Sequence, residues 1–349
     1  MNKRDFLIAA AAMFGLCTGG TMAEPSKNFK VFLCFGQSNM SGGMGAACAP
    51  DAESKVTHPR VKVLGFATST CGTVSRTLNK WSDACEPMHC GDGVNMMGPS
   101  YVFGRVLADS LPNDTIGLIP AGCWGASIEL FMKGGHCNAS QYFKPTNSDN
   151  ARDWLITKCQ EGIKRGVFSG IILEQGESNS GDGAAWLTKV KSVYDDLKQN
   201  VPFGNDVPFV AGELLANGDG KALNTTIDQI PQKFTYGYVA SSQGLAGGGD
   251  YPTLHFNSAG YRTLGVRFGV EMMKGLRKAN LITSVKYQPK RIVSSAVVNV
   301  TSDDIQFYTF DGKTISTANV KSTMKPGNVY IVSNRTTGTS TKLIMAPAK

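Results

Sequence analysis

Five short apolar runs punctuate the first 280 residues, at Val31 to Phe35, Thr115 to Pro120, Gly170 to Glu174, Val207 to Leu214 and Phe234 to Val239. Each is continuous rather than alternating, the signature of a strand buried on both faces. Between the runs the spacing becomes helical: Leu187, Val190, Tyr194 and Leu197 share one face, as do Tyr261, Leu264, Phe268 and Met272. Strand alternating with helix predicts an α/β domain built on a doubly wound parallel sheet covered on both sides. In such sheets ligands bind beyond the carboxyl ends of the strands, so any chemistry belongs just after the apolar runs.

Two stretches break the pattern. Residues 40 to 100 are rich in Cys, Gly and Ser and have no strong period, which reads as a long, stapled insertion near the site mouth, either a surface excursion or a wall that shapes the substrate. After Ala279 the chain turns to short β-like runs, Ile305 to Phe310, Asn328 to Ser333 and Lys342 to Ala346, with a hairpin signal at Asp311-Gly312. The expected plan is therefore a larger α/β domain over residues 24–280 and a small all-β module over 281–349.

The first 23 residues have the form of a secretory signal peptide. Lys3 and Arg4 precede an apolar run from Phe6 to Leu16, and Thr21-Met22-Ala23 offers small residues for cleavage. That run is too short to span a bilayer, and no later segment is long and apolar enough, so the expected product is soluble, secreted or at the cell surface. Eight cysteines follow Ala23, at 34, 48, 71, 85, 90, 123, 137 and 159. An even number in an oxidising compartment implies some disulfides, whose pairing is not readable. A zinc site on Cys85, His89 and Cys90 would lack a second ligand pair at suitable spacing, so no metal is expected.

The formal charge of +8 divides unevenly: +1 lies in residues 1–23, +1 in 24–280 and +6 in 281–349. The long middle segment is close to neutral. That removes the electrostatic footprint a nucleic-acid partner would require and confines the basic character to the tail.

Candidate chemistry begins at Gly36-Gln37-Ser38-Asn39-Met40, directly after the first run. A serine in a tight turn at a strand end exposes its hydroxyl beside a backbone N–H, although Ser and Asn at such a place also cap helices. It does not fit the G-x-S-x-G elbow, since the fifth residue is Met. The chain has four histidines. His255, in Asp250-Tyr251-Pro252-Thr253-Leu254-His255-Phe256, stands before the Asn257 or Ser258 cap of the last helix. His89 and His136 read as solvated loop residues, and His58 precedes Pro59 in a turn. Two further strand ends carry Gly122-Cys123-Trp124-Gly125 and Glu174-Gln175-Gly176-Glu177-Ser178. The Gly125 N–H and the Gln175 amide are donors suited to a developing oxyanion, and Glu177 is a carboxylate on the same rim; equally, the glycines allow tight turns and Glu177 suits a solvated first helical turn.

Together these pieces resemble the SGNH hydrolase superfamily, and most closely carbohydrate esterase family 6 with its sialate O-acetylesterase-like relatives, over residues 30 to about 277. The resemblance rests on Gly36 to Met40, on Gln175 to Ser178, and on His255-Phe256 followed by Ala259-Gly260-Tyr261. It implies a flavodoxin-like sheet, Ser38 as nucleophile, His255 as general base, and an oxyanion hole of the Ser38 N–H, the Gly125 N–H and the Gln175 side chain. It also implies deacetylation of acetylated sugars, above all xylan, without metal or organic cofactor. Two departures stand out. Glu174 takes the place of a usual His before Gln-Gly-Glu, and Pro252 that of a usual Asp three residues before the base; the triad acid is thus left between Glu177 and Asp250. The tail, with Tyr308 to Lys313 and Pro326 to Val332, resembles the C-terminal sorting modules of the type IX secretion system, the rival reading being a carbohydrate- or surface-binding module.

Overall fold

The computed structural model describes residues 25–90, 96–136 and 150–282, together with the backbone of four strands between 305 and 344. The leader, Cys137 and the Asp311-Gly312 turn lie outside the described residues.

Seven strands form the main sheet in the order β5-β2-β6-β1-β7-β8-β9. They are β1 (Ser26–Gly36), β2 (Val61–Leu64), β5 (Trp81–Asp83), β6 (Thr115–Gly122), β7 (Gly166–Glu174), β8 (Phe209–Gly212) and β9 (Gly237–Ala240). All pair in parallel except the edge strand β5, antiparallel to β2. All five apolar runs contribute strands to this sheet: four became the inner strands β1, β6, β7 and β8, as continuous hydrophobicity requires of strands covered on both faces, and the fifth became the edge strand β9. A separate hairpin joins β3 (Ser69–Cys71) to β4 (Val74–Arg76).

Alternation along β1 divides the core into two layers. Val31, Leu33 and Phe35 meet Trp154 and Leu155 of α3 (Ala151–Ile163) and Trp186, Val190 and Tyr194 of α4 (Ala184–Asn200). Phe32 and Cys34 face Phe103 and Leu107 of α2 (Ser100–Ser110) and Phe268 and Met272 of α7 (Ser258–Lys278). The helical faces read from sequence, Leu187 to Leu197 and Tyr261 to Met272, are the buried faces of α4 and α7. Three one-turn helices, α1 (Ser38–Ser41), α5 (Asn224–Ile227) and α6 (Ile230–Lys233), lie in connections between strands.

The stretch 40–100 is more than an excursion, because it supplies β2 and β5 and so extends the sheet past β6. The Val-Lys-Val-Leu run is too short to display a period, which is why pattern alone misses it. Cys71 and Cys90 are joined in a disulfide, which removes Cys90 from any zinc site; Cys34, Cys48, Cys85 and Cys159 are buried thiols. In the tail, β10 (Ile305–Thr309), β11 (Thr314–Ile315), β12 (Val329–Asn334) and β13 (Ser340–Ile344) form an antiparallel sheet in the order β11-β10-β12-β13. Among the described residues no helix is long and apolar enough to cross a membrane.

The chain runs from β1 to one side and then to the other, so the topological switch point lies at the end of β1. There Gly36 pairs with Gly122 of β6 and Glu174 of β7. Gly36 has φ +149°, and a Cβ on it would overlap the Glu174 carbonyl. Gly36→Ala is accordingly expected to cost about 3 kcal/mol or more in a urea titration, whereas Gly181→Ala, in open space, should stay within about 0.5 kcal/mol of wild type.

Candidate active site

Because β1, β6 and β7 end at one level, the residues that follow Gly36, Gly122 and Glu174 converge. Ser38 is the first residue of α1, and its N–H belongs to the first turn, where no helical carbonyl can accept it. His255 arrives from the loop before α7, which is capped by Asn257 accepting from the Gly260 N–H at 2.8 Å. The two candidates, separated by 217 positions, meet with His255 Nε2 at 3.0 Å from Ser38 Oγ. Both are nearly buried, at 5% and 3% exposure, so the pair interacts where water screens it little. Burial pushes the His255 pKa below its usual 6.5, with the nearby charge of Asp250 pulling the other way. At neutral pH the imidazole is therefore uncharged and able to accept a proton.

The candidate acids stand elsewhere. Nδ1 of His255 lies 3.5 Å from the Met44 nitrogen, the outer limit of a hydrogen bond and too long to hold the ring in the tautomer that protonates Nε2, and among the described residues no carboxylate bonds it. Asp250 is exposed and influences the ring through space. Glu177 instead accepts through Oε1 from the Asn39 amide, and its Oε2 is buried with no bonding partner among the described residues. Burial raises its pKa to about 7, so it is not the solvated first-turn carboxylate its position suggests.

Gln175 is also occupied. Its Nε2 lies 3.2 Å from Gln37 Oε1, 3.1 Å from the Ala126 carbonyl and 2.6 Å from Asn179 Oδ1, while its Oε1 accepts from Trp186 Nε1 at 2.7 Å. An amide with two N–H groups already facing three acceptors is turned into the scaffold rather than toward Ser38. Gly125 has φ +66°, a left-handed turn with open space where a Cβ would sit, and follows Trp124, whose ring centroid is 6.4 Å from that of His255.

His89 is the clearest correction to the sequence reading. It is fully buried, its Nε2 accepts from the Gly122 N–H at 2.9 Å, and burial pushes its pKa down to about 3. It serves as a neutral prop under the end of β6. His136 is exposed as expected, and His58 Nε2 lies 3.7 Å from Asp109 Oδ1.

Sequence reasoning passed over Gln37 and Asn39. Gln37 Oε1 accepts from the Gly176 and Ser178 N–H groups, both at 3.3 Å, tying the turn after β1 to the loop after β7. Both residues stand beside Ser38, but only the fold shows what they reach. Glu174, where a His was expected, is fully buried with neither oxygen bonded among the described residues. Burial, and then the neighbouring Glu177 and Glu213, hold its pKa well above the carboxylate range.

A buried Ser–His pair thus stands at the switch point of an open doubly wound sheet. The sequence model of the carbohydrate esterases described as sialic acid-specific acetylesterases matches residues 28–274, and the chain belongs to that family. A protein from Arabidopsis thaliana has a similar fold, with 17% identity and a TM-score of 0.55 over 70% of this chain and 98% of its own. A carbohydrate acetylesterase from Xanthomonas citri aligns at 17% identity and a TM-score of 0.49 over 71% of this chain and 57% of its own.

The neutral Glu174 carboxyl has a consequence for stability. The unfolded chain releases this proton above its ordinary 4.5 while the folded chain retains it, so stability is lost as pH rises above that value. Glu174→Gln removes the titration, and its urea midpoint relative to wild type is expected to be higher at about pH 8 than at about pH 5.

Proposed function

We propose that the chain is a secreted carbohydrate O-acetylesterase that removes acetyl groups from acetylated polysaccharide, xylan above all, through Ser38 and an acetyl-enzyme. The observation that carries this reading is the 3.0 Å contact between Ser38 Oγ and His255 Nε2 at the switch point, within a chain of the carbohydrate esterase family. His255 takes the Ser38 proton as Oγ attacks the acetyl carbonyl. The oxyanion is held by the Ser38 and Gly125 N–H groups. His255 then protonates the departing sugar oxygen, and water repeats the cycle on the acetyl-enzyme to release acetate. Gln175 enters as the residue that fixes the loop carrying Glu177. The chemistry asks for no metal or organic cofactor.

A second reading, a sialate O-acetylesterase, is favoured by the family's description. Sialic acids carry a carboxylate, and the exposed Asp250 beside His255 would repel one, so the neutral polysaccharide fits the rim better. Acetate release from acetylated xylan and from O-acetylated sialic acids separates the two, with faster release from xylan expected. A non-catalytic glycan-binding protein on this scaffold would release acetate from neither.

Secretion is supported by the leader composition of residues 1–23 and by the Cys71–Cys90 disulfide, which suits an oxidising compartment. The basic segment 281–349 is proposed as a sorting module read by secretion machinery. Its deletion should abolish export and leave soluble turnover unchanged, whereas an attachment module would lose retention on insoluble polysaccharide.

Ser38→Ala should lower acetate release by about 10³-fold or more; an unchanged rate refutes the serine mechanism. Because burial holds His255 below 6.5, kcat/KM should persist at pH 6.5 and fall only as pH drops through the lowered value. Asp250→Asn removes the charge that favours imidazolium, so the acid limb of the pH profile should move to still lower pH.

A further inference from the structure

Asn39 follows the candidate nucleophile in sequence and is fully buried. Its side-chain amide reaches across the switch point to the loop that carries His255. Nδ2 donates to the Leu254 carbonyl at 2.9 Å, and Oδ1 accepts from the Phe256 N–H at 3.3 Å. These two peptide groups flank His255 on either side. The remaining capacity of the amide is also used: Nδ2 donates to Glu177 Oε1, and Oδ1 accepts from the Tyr261 hydroxyl at 2.7 Å. With a peptide donor and a hydroxyl on one atom and two acceptors on the other, the network fixes which way the amide points. A single side chain thus ties the Ser38 turn to both neighbours of His255. Tyr261, fully buried at the start of α7, anchors it from below, and Glu177 anchors it from the loop after β7.

An ordinary Ser-His-acid triad orients the imidazole by a carboxylate on Nδ1. Here that atom has only the Met44 nitrogen at 3.5 Å, too long to orient the ring, and the two candidate acids make no bond to it. Orientation must come from elsewhere, and the residues next to His255 are held by Asn39. We propose that Asn39 is the positioning residue that sets His255 against Ser38 through the backbone on either side of the ring, and that Glu177 acts through Asn39 rather than on the imidazole. This inference rests on the serine mechanism proposed above. It differs from a triad reading in what the Glu177 carboxylate is for: an oxygen that accepts from Asn39, which Gln also provides, and not a charge beside the ring.

The experiment is steady-state hydrolysis of p-nitrophenyl acetate by the full chain and its variants, with thermal midpoints recorded alongside. Asn39→Asp keeps the acceptor for Phe256 and Tyr261 but loses the donor to Leu254 and Glu177, and kcat should fall about 10²-fold with KM nearly unchanged. Glu177→Ala should fall by about as much, while Glu177→Gln should recover to within about tenfold of wild type. A loss near 10⁴-fold in Glu177→Gln, the size seen when a triad carboxylate becomes an amide, overturns the proposal. So does an Asn39→Asp enzyme of wild-type kcat. Should Asn39→Asp fail to fold, Tyr261→Phe decides the matter, because it removes one hydroxyl and leaves the ring packed. A severalfold loss of kcat at unchanged thermal midpoint supports the proposal, and wild-type kcat overturns it. Ser38→Ala in the same series keeps the two failures apart: if it remains active, the serine mechanism fails, whatever Asn39 does.

Discussion

The common level at which β1, β6 and β7 end governs everything above them. The Gln37 N–H donates to the Glu174 carbonyl at 2.9 Å, and the Cys123 N–H to the Gly36 carbonyl at 2.9 Å, so the ladder continues one step past the last pleat on both sides of β1. This tight junction requires Gly36, since a side chain there has no room beside Glu174. Once the three strand ends are level, Ser38, Gly125 and the Gln175 loop emerge together. A slip of one residue in any of these pairings would turn the strand over and send its apolar side chains to the wrong layer. The packing of the two core layers therefore fixes the site geometry.

Around this junction the protein replaces charge by shape. Glu174 and His89 are both buried and both held neutral, one by raising and the other by lowering its pKa. Neutral forms are what a dry interior favours, because desolvation penalises the ion more than the uncharged group. The same effect on His255 leaves its imidazole uncharged at neutral pH, the form a proton acceptor requires. Three titratable groups thus respond to one cause. A single property of the switch point, its exclusion of water, sets the protonation of both scaffold and candidate base.

Hydrogen-bonded amides perform the joining that ion pairs perform elsewhere. Gln37, Asn39, Gln175 and Asn179 link the turn after β1 to the loops after β6 and β7, and to the loop before α7. An amide offers donors and acceptors at once and carries no charge to desolvate, so it can bridge peptide groups of either polarity inside a core. The price of such a network is that each member must be satisfied, and Gln175 shows it: fully used by the scaffold, it has no N–H left for a substrate.

The sequence by itself determined the fold class, the five main strands and the faces of α4 and α7, because buried strands and amphipathic helices imprint hydrophobic periods that local pattern reveals. It also singled out Ser38 and His255 as candidates for a nucleophile and its base, with Glu177, Asp250, Gly125 and Gln175 beside them, since few residues of the right chemistry stand at strand or helix ends. What it left open depends on distance in space. That β2 joins the sheet, that His89 lies under β6 rather than in solvent, that Gln175 faces inward, and that Glu177 meets Asn39 while Asp250 acts on His255 from a distance are all products of tertiary structure. Each turns on which way a side chain points after strands far apart in sequence have aligned, and no local period encodes that direction.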